Sequence, residues 1–277
     1  MAEQDWEWDP SLYSGSAAYY SRGRMPYPAE LAPALAAALH LDGSGRLLDL
    51  GCGPGSLTLP LAHLFAETIG LDADRDMLDQ AALLAARSGV AHVRWLSMRA
   101  EELPAGLGKF RLITLAQSLH WMDRATVLPV VRGMLATGGA CAHVHATTHR
   151  GLDAAEELPY PRPPHDSITE LVRAYLGPVR RAGRSHLPHG TPSGEDEVYR
   201  AAGFAVAQRI DLPGRVHTRA TEDIVAAVFS QSSSAPGLFG DRRAEFETAL
   251  RLLLKETSPD GLFSERGHPV GIDIWRL

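Results

Sequence analysis

Apolar residues along the chain follow two spacings in turn, and this alternation predicts a series of strands and helices. Short apolar runs at 46–50, 68–72, 92–96, 110–116 and 139–146 are typical of buried strands. Segments with helical spacing lie among them, at Ala29–Leu39, 55–66, 75–87 and 124–135. Because strands that alternate with helices of this length pair in parallel, the pattern predicts an α/β fold with a doubly wound sheet.

The alternation stops after residue 146. Residues 147–195 contain seven prolines and one segment of helical character, Ser167–Leu176. The strand pattern resumes at Phe204–Leu212 and again at Val270–Trp275. A long interruption inside a compact fold is usually functional. We therefore predict a core with an N-terminal cap helix over 1–146, a cap or lid insertion for a substrate over 147–200, and the C-terminal part of the core over 201–277.

The most specific motif is Asp49-Leu50-Gly51-Cys52-Gly53-Pro54-Gly55, between a predicted strand and a predicted helix. Its alternate glycines allow a tight turn and a close approach of ligand to backbone. The spacing is G-x-G-x-G, whereas dinucleotide sites are typically G-x-G-x-x-G. Asp72 ends the next predicted strand, where an acid can accept hydrogen bonds from ribose hydroxyls. The pattern favours a nucleoside site over a pyrophosphate site.

These residues resemble the motifs of the class I S-adenosylmethionine (SAM)-dependent methyltransferases, especially the small-molecule branch related to the type 11 domain. Besides the glycine turn, the segments that carry the resemblance are Tyr20–Pro28, Gly70–Asp74, Ser97–Pro104 and Phe110–Trp121. Three positions depart from the family pattern: Arg99 and Arg111 replace acids, and Met25 replaces a proline. The resemblance is specific over residues 20–145.

The resemblance implies a seven-stranded, Rossmann-like sheet that is mostly parallel, with an antiparallel last strand inserted between the fifth and the sixth. It also implies that the protein binds SAM and releases S-adenosyl-L-homocysteine. The cofactor-binding residues that it implies are Tyr20, Arg24, Asp49, Gly51, Gly53, Gly55, Asp72, Ala73, Met77, Ala100, Glu101 and Gln117.

The resemblance also implies a role for each of these residues within the core. Asp49 would orient the methionyl amine above the glycines, and Asp72 would hold the ribose. Ala100 would contact adenine through its backbone, and Gln117 would lie beside the methionyl end.

Two further assignments concern the N-terminal segment and one helix. By the resemblance, Tyr20 and Arg24 would close over the cofactor, and Arg24 would pair with its carboxylate. Met77 has two interpretations that the sequence leaves open, because its helical spacing fits a core position as well as a contact with adenine.

Histidines supply the candidates for acid–base chemistry. His120 follows the fourth predicted strand and is the first choice for a general base, because a histidine ordinarily titrates near neutral pH. His145, at the end of the fifth strand, is the second choice. His143 and His145 point to one side of that strand, and His149 lies nearby, so a metal site is conceivable. No Asp, Glu or Cys joins them at ligand-like spacing, and we expect no metal.

The composition of the chain argues against several classes of partner. The chain of 277 residues carries a formal net charge of −6, and only two of its 27 basic residues are lysines. This balance argues against a nucleic-acid partner, which usually requires a basic face. The chain has no apolar run long enough for a membrane span, its acidic N-terminus lacks a signal core, and its two cysteines do not indicate a disulfide framework. We therefore expect a cytoplasmic protein.

Three functions remain open from the sequence. The first is a SAM-dependent methyltransferase that acts on an oxygen, nitrogen or carbon nucleophile of a small molecule, plausibly in secondary metabolism. The second is an NAD-dependent oxidoreductase, against which the glycine spacing counts. The third is a protein that keeps the SAM fold without methyl transfer, because a cofactor site does not define the chemistry at the acceptor. The acceptor and the oligomeric state stay undetermined.

Overall fold

A central sheet of seven strands organises the computed structural model, which describes residues 13–153, 156–178 and 195–277. The strands are β1 (Arg46–Leu50), β2 (Glu67–Asp72), β3 (Val93–Ser97), β4 (Phe110–Ala116), β5 (Leu135–His145), β6 (Ala205–Leu212) and β9 (Val270–Arg276). Their order is β3-β2-β1-β4-β5-β9-β6, and β9 pairs antiparallel with both β5 and β6. The predicted fold class, including the antiparallel last strand, is confirmed.

The helices between residues 31 and 176 lie close to the segments that the apolar spacing predicts, whereas those over 195–201, 221–229 and 243–257 were not predicted. Their bounds are α1 (Ala17–Gly23), α2 (Leu31–Leu39), α3 (Thr58–Leu61), α4 (Arg75–Arg87), α5 (Arg124–Gly133), α6 (His165–Leu176), α7 (Glu195–Ala201), α8 (Thr221–Phe229) and α9 (Arg243–Thr257). Short 3₁₀ turns occupy Ala62–Leu64, Ala100–Glu102, Leu119–Trp121, Ser232–Ser234 and Pro236–Arg242. Among the described residues, no helix combines the length and apolar character that crossing a bilayer requires.

The predicted helix at 55–66 is wrong in its extent. Regular helix covers only α3, and a 3₁₀ turn completes the segment. Gly55 has a φ of +80°, which a right-handed helix does not allow, so the glycine turn uses the residues where the predicted helix begins.

The described chain divides into two compact units. The first, called here the sheet unit, contains residues 27–146, 195–212 and 269–277. The second, called the helical unit, contains residues 13–26, the described part of 147–178, and 213–268. The insertion predicted at 147–200 lies partly outside the described residues, at 154–155 and 179–194, and its role as a lid stays a prediction.

Alternation of side chains along the strands gives the sheet unit two apolar layers. Leu48 and Leu50 of β1 pack on one face with residues of α5, and Leu47 packs on the other face with residues of α2. Successive side chains of a strand point to opposite faces, so a central strand contributes to both layers. The central position of β1 fixes the place where the glycine turn leaves the sheet.

The helical unit has a separate core built around aromatic rings. Three rings form a cluster: Phe229 of α8, Phe239 of the last 3₁₀ turn and Phe246 of α9. The ring centres of Phe239 and Phe246 are 4.1 Å apart. A two-stranded antiparallel sheet, β7 (Val216–Ala220) with β8 (Leu262–Arg266), belongs to the same unit. The apolar pattern does not predict these strands, because three of the five residues in each are polar.

A buried ion pair joins the two strands of the small sheet in the helical unit, β7 and β8. The Arg219 guanidinium donates to Glu265 at 2.8 Å, and both side chains are at most 5% exposed. Glu265 also accepts hydrogen bonds from Gly151 N and His165 Nε2, each at 2.7 Å. Burial alone would raise the pKa of Glu265, but His165 and Arg219 lower it to about 2. The contribution of Glu265 to stability is therefore complete at neutral pH and is lost as the pH falls toward 2.

Replacing Glu265 is expected to destabilise the protein strongly. Glu265→Ala should lower the free energy of unfolding, measured by urea denaturation, by about 3–5 kcal/mol, because it leaves a buried guanidinium without its partner. The control is Glu222→Ala, which removes an exposed ion pair with Arg251 and should cost less than about 1 kcal/mol. Equal losses in the two variants would contradict this account of the buried pair.

Candidate functional site

The candidate site lies at the carboxyl ends of the central strands. The strand order reverses between β1 and β4, since β2 and β3 continue to one side of β1 and β5 to the other. In an open α/β sheet, ligands bind at such a switch point, outside the carboxyl ends of the strands. The glycine turn after β1 and the acid at the end of β2 both lie at this edge.

The glycine turn adopts a backbone that needs its glycines. Gly51, Gly53 and Gly55 have φ values of +64°, +53° and +80°, in the left-handed region that other residues rarely adopt. The backbone N–H groups of Gly51 and Cys52 donate to Leu71 O at 2.8 and 3.0 Å, which joins the turn to β2. A Cβ on Gly51 would lie only 2.4 Å from Ser118 Cβ, whereas one on Gly53 would meet no heavy atom of the described residues within 4 Å. The turn therefore faces open space at Gly53.

Asp49 is a buried carboxylate held by two hydroxyl groups. Its side chain accepts hydrogen bonds from Thr58 Oγ1 at 2.5 Å and from Thr114 Oγ1 at 2.7 Å. Burial raises the pKa of Asp49 to about 6, although the threonine hydrogen bonds lower it in part. Sequence reasoning missed both threonines, because Thr114 is brought opposite Asp49 only by the pairing of β1 with β4. The site thus holds an acid that a cationic ligand would stabilise.

Asp72 is fixed by two backbone amides. Its Oδ2 accepts a hydrogen bond from Gly53 N at 2.7 Å, and its Oδ1 accepts one from Asp74 N at 2.9 Å. Burial raises the pKa of Asp72 to about 6, against the lowering effect of these amides. Because a carboxylate can accept about four hydrogen bonds, Asp72 keeps capacity for two ribose hydroxyls.

Other predicted cofactor residues surround this edge within the sheet unit. Ala73 follows Asp72 directly, and Ala100 is buried at the start of its 3₁₀ turn. Gln117 follows β4 with a φ of +57°, a conformation that a glutamine rarely adopts and that persists where the surroundings enforce it. The Glu101 carboxylate accepts a hydrogen bond from Asp123 N at 2.8 Å, so its side chain joins the turn to α5.

Met77 is a core residue of α4. Its side chain is only 3% exposed, and Leu78, Ala81 and Ala85 are the other buried positions of the same helix. Of the two interpretations that the sequence leaves open, the core position agrees with this burial. A contact with adenine stays a prediction.

Tyr20 and Arg24 lie in the helical unit, where they contact each other. The Arg24 guanidinium lies 4.6 Å from the centre of the Tyr20 ring. Arg24 also donates to the Oγ and the carbonyl oxygen of Ser230, each at 2.9 Å. Their closure over a cofactor stays a prediction.

His120 lies in the 3₁₀ turn that follows β4. Burial, with a smaller effect of the Arg124 charge, lowers the pKa of His120 to about 4. The near-neutral pKa expected from its residue type is therefore wrong, because desolvation disfavours the charged ring. At neutral pH the ring is uncharged and can accept a proton, although as a weaker base than an exposed histidine.

The histidines of β5 have acidic neighbours from distant parts of the chain. Glu195 Oε2, at the start of α7, lies 3.4 Å from His143 Nε2 and 3.4 Å from His145 Nδ1. The other nitrogen of His145, Nε2, lies 2.7 Å from Asp273 Oδ2. Burial, with smaller effects of neighbouring charges, lowers the pKa of His143 to about 3, so this ring is neutral. Sequence spacing gave no signal for Glu195, because fifty residues separate it from His145.

Part of the chain is similar to known methyltransferases. A model of the methyltransferase domain matches residues 47–139. An uncharacterized methyltransferase of Mycobacterium tuberculosis is 34% identical over 151 residues, which cover 54% of this chain and 58% of the relative. The trans-aconitate 2-methyltransferase of Methylobacterium radiotolerans is 34% identical over 156 residues, 53% of this chain and 55% of the relative. The chain thus spans little more than half the length of these relatives.

A solved structure extends the likeness to the fold. A SAM-dependent methyltransferase from Geobacter sulfurreducens, in complex with S-adenosyl-L-homocysteine, has a TM-score of 0.52 and 17% identity, covering 96% of this chain and 98% of its own. At this identity the likeness concerns the fold alone. The residues of the family match build the central strands and the glycine turn, so this part of the sheet unit, residues 47–139, is similar to the methyltransferase domain, and the resemblance of the sequence to the class I, S-adenosylmethionine-dependent methyltransferases is confirmed.

Proposed function

We propose that this protein binds SAM at the edge of its sheet and transfers the methyl group to a small-molecule acceptor. The observation that carries the proposal is the pair of carboxylates, Asp49 and Asp72, at the ends of neighbouring strands beside the open Gly53. A role in secondary metabolism is part of the proposal and rests on resemblance.

The residues fit the nucleoside part of SAM. The Asp72 carboxylate, fixed by Gly53 N and Asp74 N, has two acceptor positions left for the two ribose hydroxyls. Gly53 leaves space for the ligand because a Cβ is missing there. Ala100, buried in the 3₁₀ turn near the end of β3, offers its backbone to the adenine.

The charge of the site fits the methionyl part. Asp49 is paired with neutral threonine hydroxyls, and its raised pKa means that its ionisation costs free energy. A ligand that brings an ammonium group and a sulfonium near Asp49 offsets this cost. When bound, SAM supplies a methyl group already activated by the positive sulfur.

The remaining work of the protein is to position an acceptor and to remove its proton. Bringing two reactants into line lowers the barrier by itself. His120, neutral at pH 7, is the first choice for the base that takes a proton from an acceptor hydroxyl, and His145 is the second choice. A free amine or an enolised carbon needs no such base.

SAM should stabilise the fold against heat, and Gly53→Ala should remove at least about half of this effect. In thermal unfolding, SAM and S-adenosyl-L-homocysteine should each raise Tm by several degrees at about a hundred times Kd, and NAD should not. Gly53→Ala should weaken SAM binding by at least about tenfold (~1.4 kcal/mol), because the added Cβ enters the ligand space.

The matched control for this variant is Gly89→Ala. Gly89 has a φ of +69° and, like Gly53, no heavy atom of the described residues within 4 Å of an added Cβ. Both substitutions therefore carry the same backbone strain, about 1–2 kcal/mol, and only Gly53→Ala should lose SAM affinity. A rise in Tm with NAD alone, or equal losses of SAM affinity, would overturn the proposed cofactor site.

SAM affinity should fall in mildly acidic buffer. The pKa values of Asp49 and Asp72 are about 6 in the ligand-free protein, so both carboxylates are mostly ionised at pH 7 and mostly protonated at pH 5. Since the ionised fraction of each changes about tenfold over this range, Kd measured by calorimetry should rise by about tenfold or more. Asp49→Asn should bind SAM more weakly at pH 7 and change less with pH. An unchanged Kd of the wild type between pH 7 and pH 5 would contradict the assignment.

His120→Gln should separate binding from chemistry. We expect SAM affinity within about threefold of wild type, and a fall of about a hundredfold, the low end for a general base, in labelled-methyl transfer to a hydroxyl acceptor found by screening. A large loss of SAM affinity would show instead that His120 supports the cofactor site. Unchanged transfer would show that His120 is not the base.

A further inference from the structure

Two histidines and a glutamate form a compact group at the end of β5. His143 and His145 are two residues apart on the strand, so their side chains leave the same face of the sheet. Their rings stack with centres 4.3 Å apart. Glu195, the first residue of α7, places Oε2 between them. The nearest ligand atoms of the three side chains all lie within 4.8 Å of one another.

The distances in this group are longer than good hydrogen bonds and suit two ligands of one metal ion. Glu195 Oε2 lies 3.4 Å from each of two ring nitrogens, beyond the 2.7–3.2 Å of a good hydrogen bond. Ligands at about 2.0–2.1 Å from a tetrahedral Zn²⁺ are about 3.4 Å apart, which equals both distances. The two ring nitrogens are at most 4.8 Å apart, so they would have to approach by no more than about 1.4 Å to complete this geometry.

The neighbours of His145 resemble the outer partners of a metal site. Asp273 Oδ2 accepts a hydrogen bond from His145 Nε2 at 2.7 Å, so Nδ1 is the ring nitrogen that faces Glu195. Arg209 in turn donates to both oxygens of Asp273, at 2.9 and 3.1 Å. A carboxylate behind a ligating histidine fixes the orientation of the ring and makes it a better ligand.

The three side chains are largely buried, but one of them is open to solvent, so an ion could reach the group. The His143 side chain is 4% exposed and Glu195 15%, whereas His145 is 35% exposed and connects the group to solvent. The buried Nδ1 of His143 has no hydrogen-bond partner among the described residues, and its Nε2 faces Glu195 Oε2 at 3.4 Å.

We propose that His143, His145 and Glu195 bind a divalent transition-metal ion, with zinc as the preferred metal. Two imidazoles and one carboxylate suit zinc, whereas magnesium and calcium prefer oxygen ligands. Three protein ligands leave one position open, as in catalytic zinc sites. The sequence predicts no metal because the acid is supplied by α7, far along the chain.

The proposed ion would lie at the same edge of the sheet as the candidate cofactor site. His143 and His145 lie at the carboxyl end of β5, which runs parallel to β4 and β1. The open position would take an oxygen ligand, such as a carboxylate or hydroxyl of a small molecule, and lower the pKa of a hydroxyl there. The proposed metal site stands independently of methyl transfer, and its test needs no activity.

The experiment is a metal titration of the full chain after removal of metals with a chelator. Co²⁺ is added first, because a tetrahedral cobalt site gives visible absorption, and Zn²⁺ is then used to displace it and to measure Kd by competition. We expect Zn²⁺ to displace the cobalt signal at one equivalent, and we expect Mg²⁺ to have no effect.

Matched variants locate the ion. Glu195→Gln and His145→Gln should each weaken Zn²⁺ binding by more than about a hundredfold, whereas Asp273→Asn, behind the ligand, should weaken it by about 10–100-fold. The controls are Glu197→Gln, which makes the same change at an exposed position of α7, and His63→Gln, at an exposed histidine of the sheet unit. Both controls should bind Zn²⁺ like the wild type.

The outcomes decide between a metal site and a cluster held by hydrogen bonds. Absence of the cobalt signal in the wild type, or equal affinity in Glu195→Gln and Glu197→Gln, would overturn the proposal. Circular dichroism and Tm without metal show whether each variant is folded. Addition of Zn²⁺ should raise Tm of the wild type and of both controls but not of Glu195→Gln, and an equal rise in all of them would also overturn it.

Discussion

The backbone of the turn after β1 is the constraint on which the candidate site depends. The N–H groups of Gly51 and Cys52 donate to one acceptor, Leu71 O of the neighbouring strand β2. The turn therefore cannot move away from β2 without breaking these two hydrogen bonds. Ser118 packs so closely against Gly51 that a Cβ there would overlap it. With the turn fixed in this way, Gly53 N holds the Asp72 carboxylate, while two threonine hydroxyls hold the Asp49 carboxylate.

The two units treat buried carboxylates in opposite ways. In the helical unit, Glu265 forms an ion pair with Arg219 and accepts a hydrogen bond from His165. Against the effect of burial, these partners lower the pKa of Glu265 to about 2. In the sheet unit, Asp49 receives only hydrogen bonds of neutral threonines, and its pKa rises to about 6. The first arrangement stabilises the fold at neutral pH. The second costs stability until a cation arrives, which is the usual relation between a binding site and the stability of the protein that carries it.

The histidines show how strongly tertiary neighbours decide the chemistry of a residue type. His120 looks like a base with a near-neutral pKa in the sequence, but burial lowers its pKa to about 4. His145 has one nitrogen at hydrogen-bond distance from Asp273, 2.7 Å, and the other at 3.4 Å from Glu195. One ring therefore has two different partners: Asp273, to which it is hydrogen-bonded, and Glu195, with which it would share the proposed metal ion.

The sequence by itself determined the alternation of strands and helices over residues 29–146, the glycine turn and the acid at the end of β2, because these depend on local spacing and on backbone conformations that glycine allows. It did not determine the extent of α3, which the turn shortens, or the small sheet of β7 and β8, whose apolar signal is weak. Only the tertiary structure brought Thr114 to Asp49 and Glu195 to His143. The physical reason is that strand pairing and helix packing join residues far apart in the chain, and desolvation then sets their pKa values.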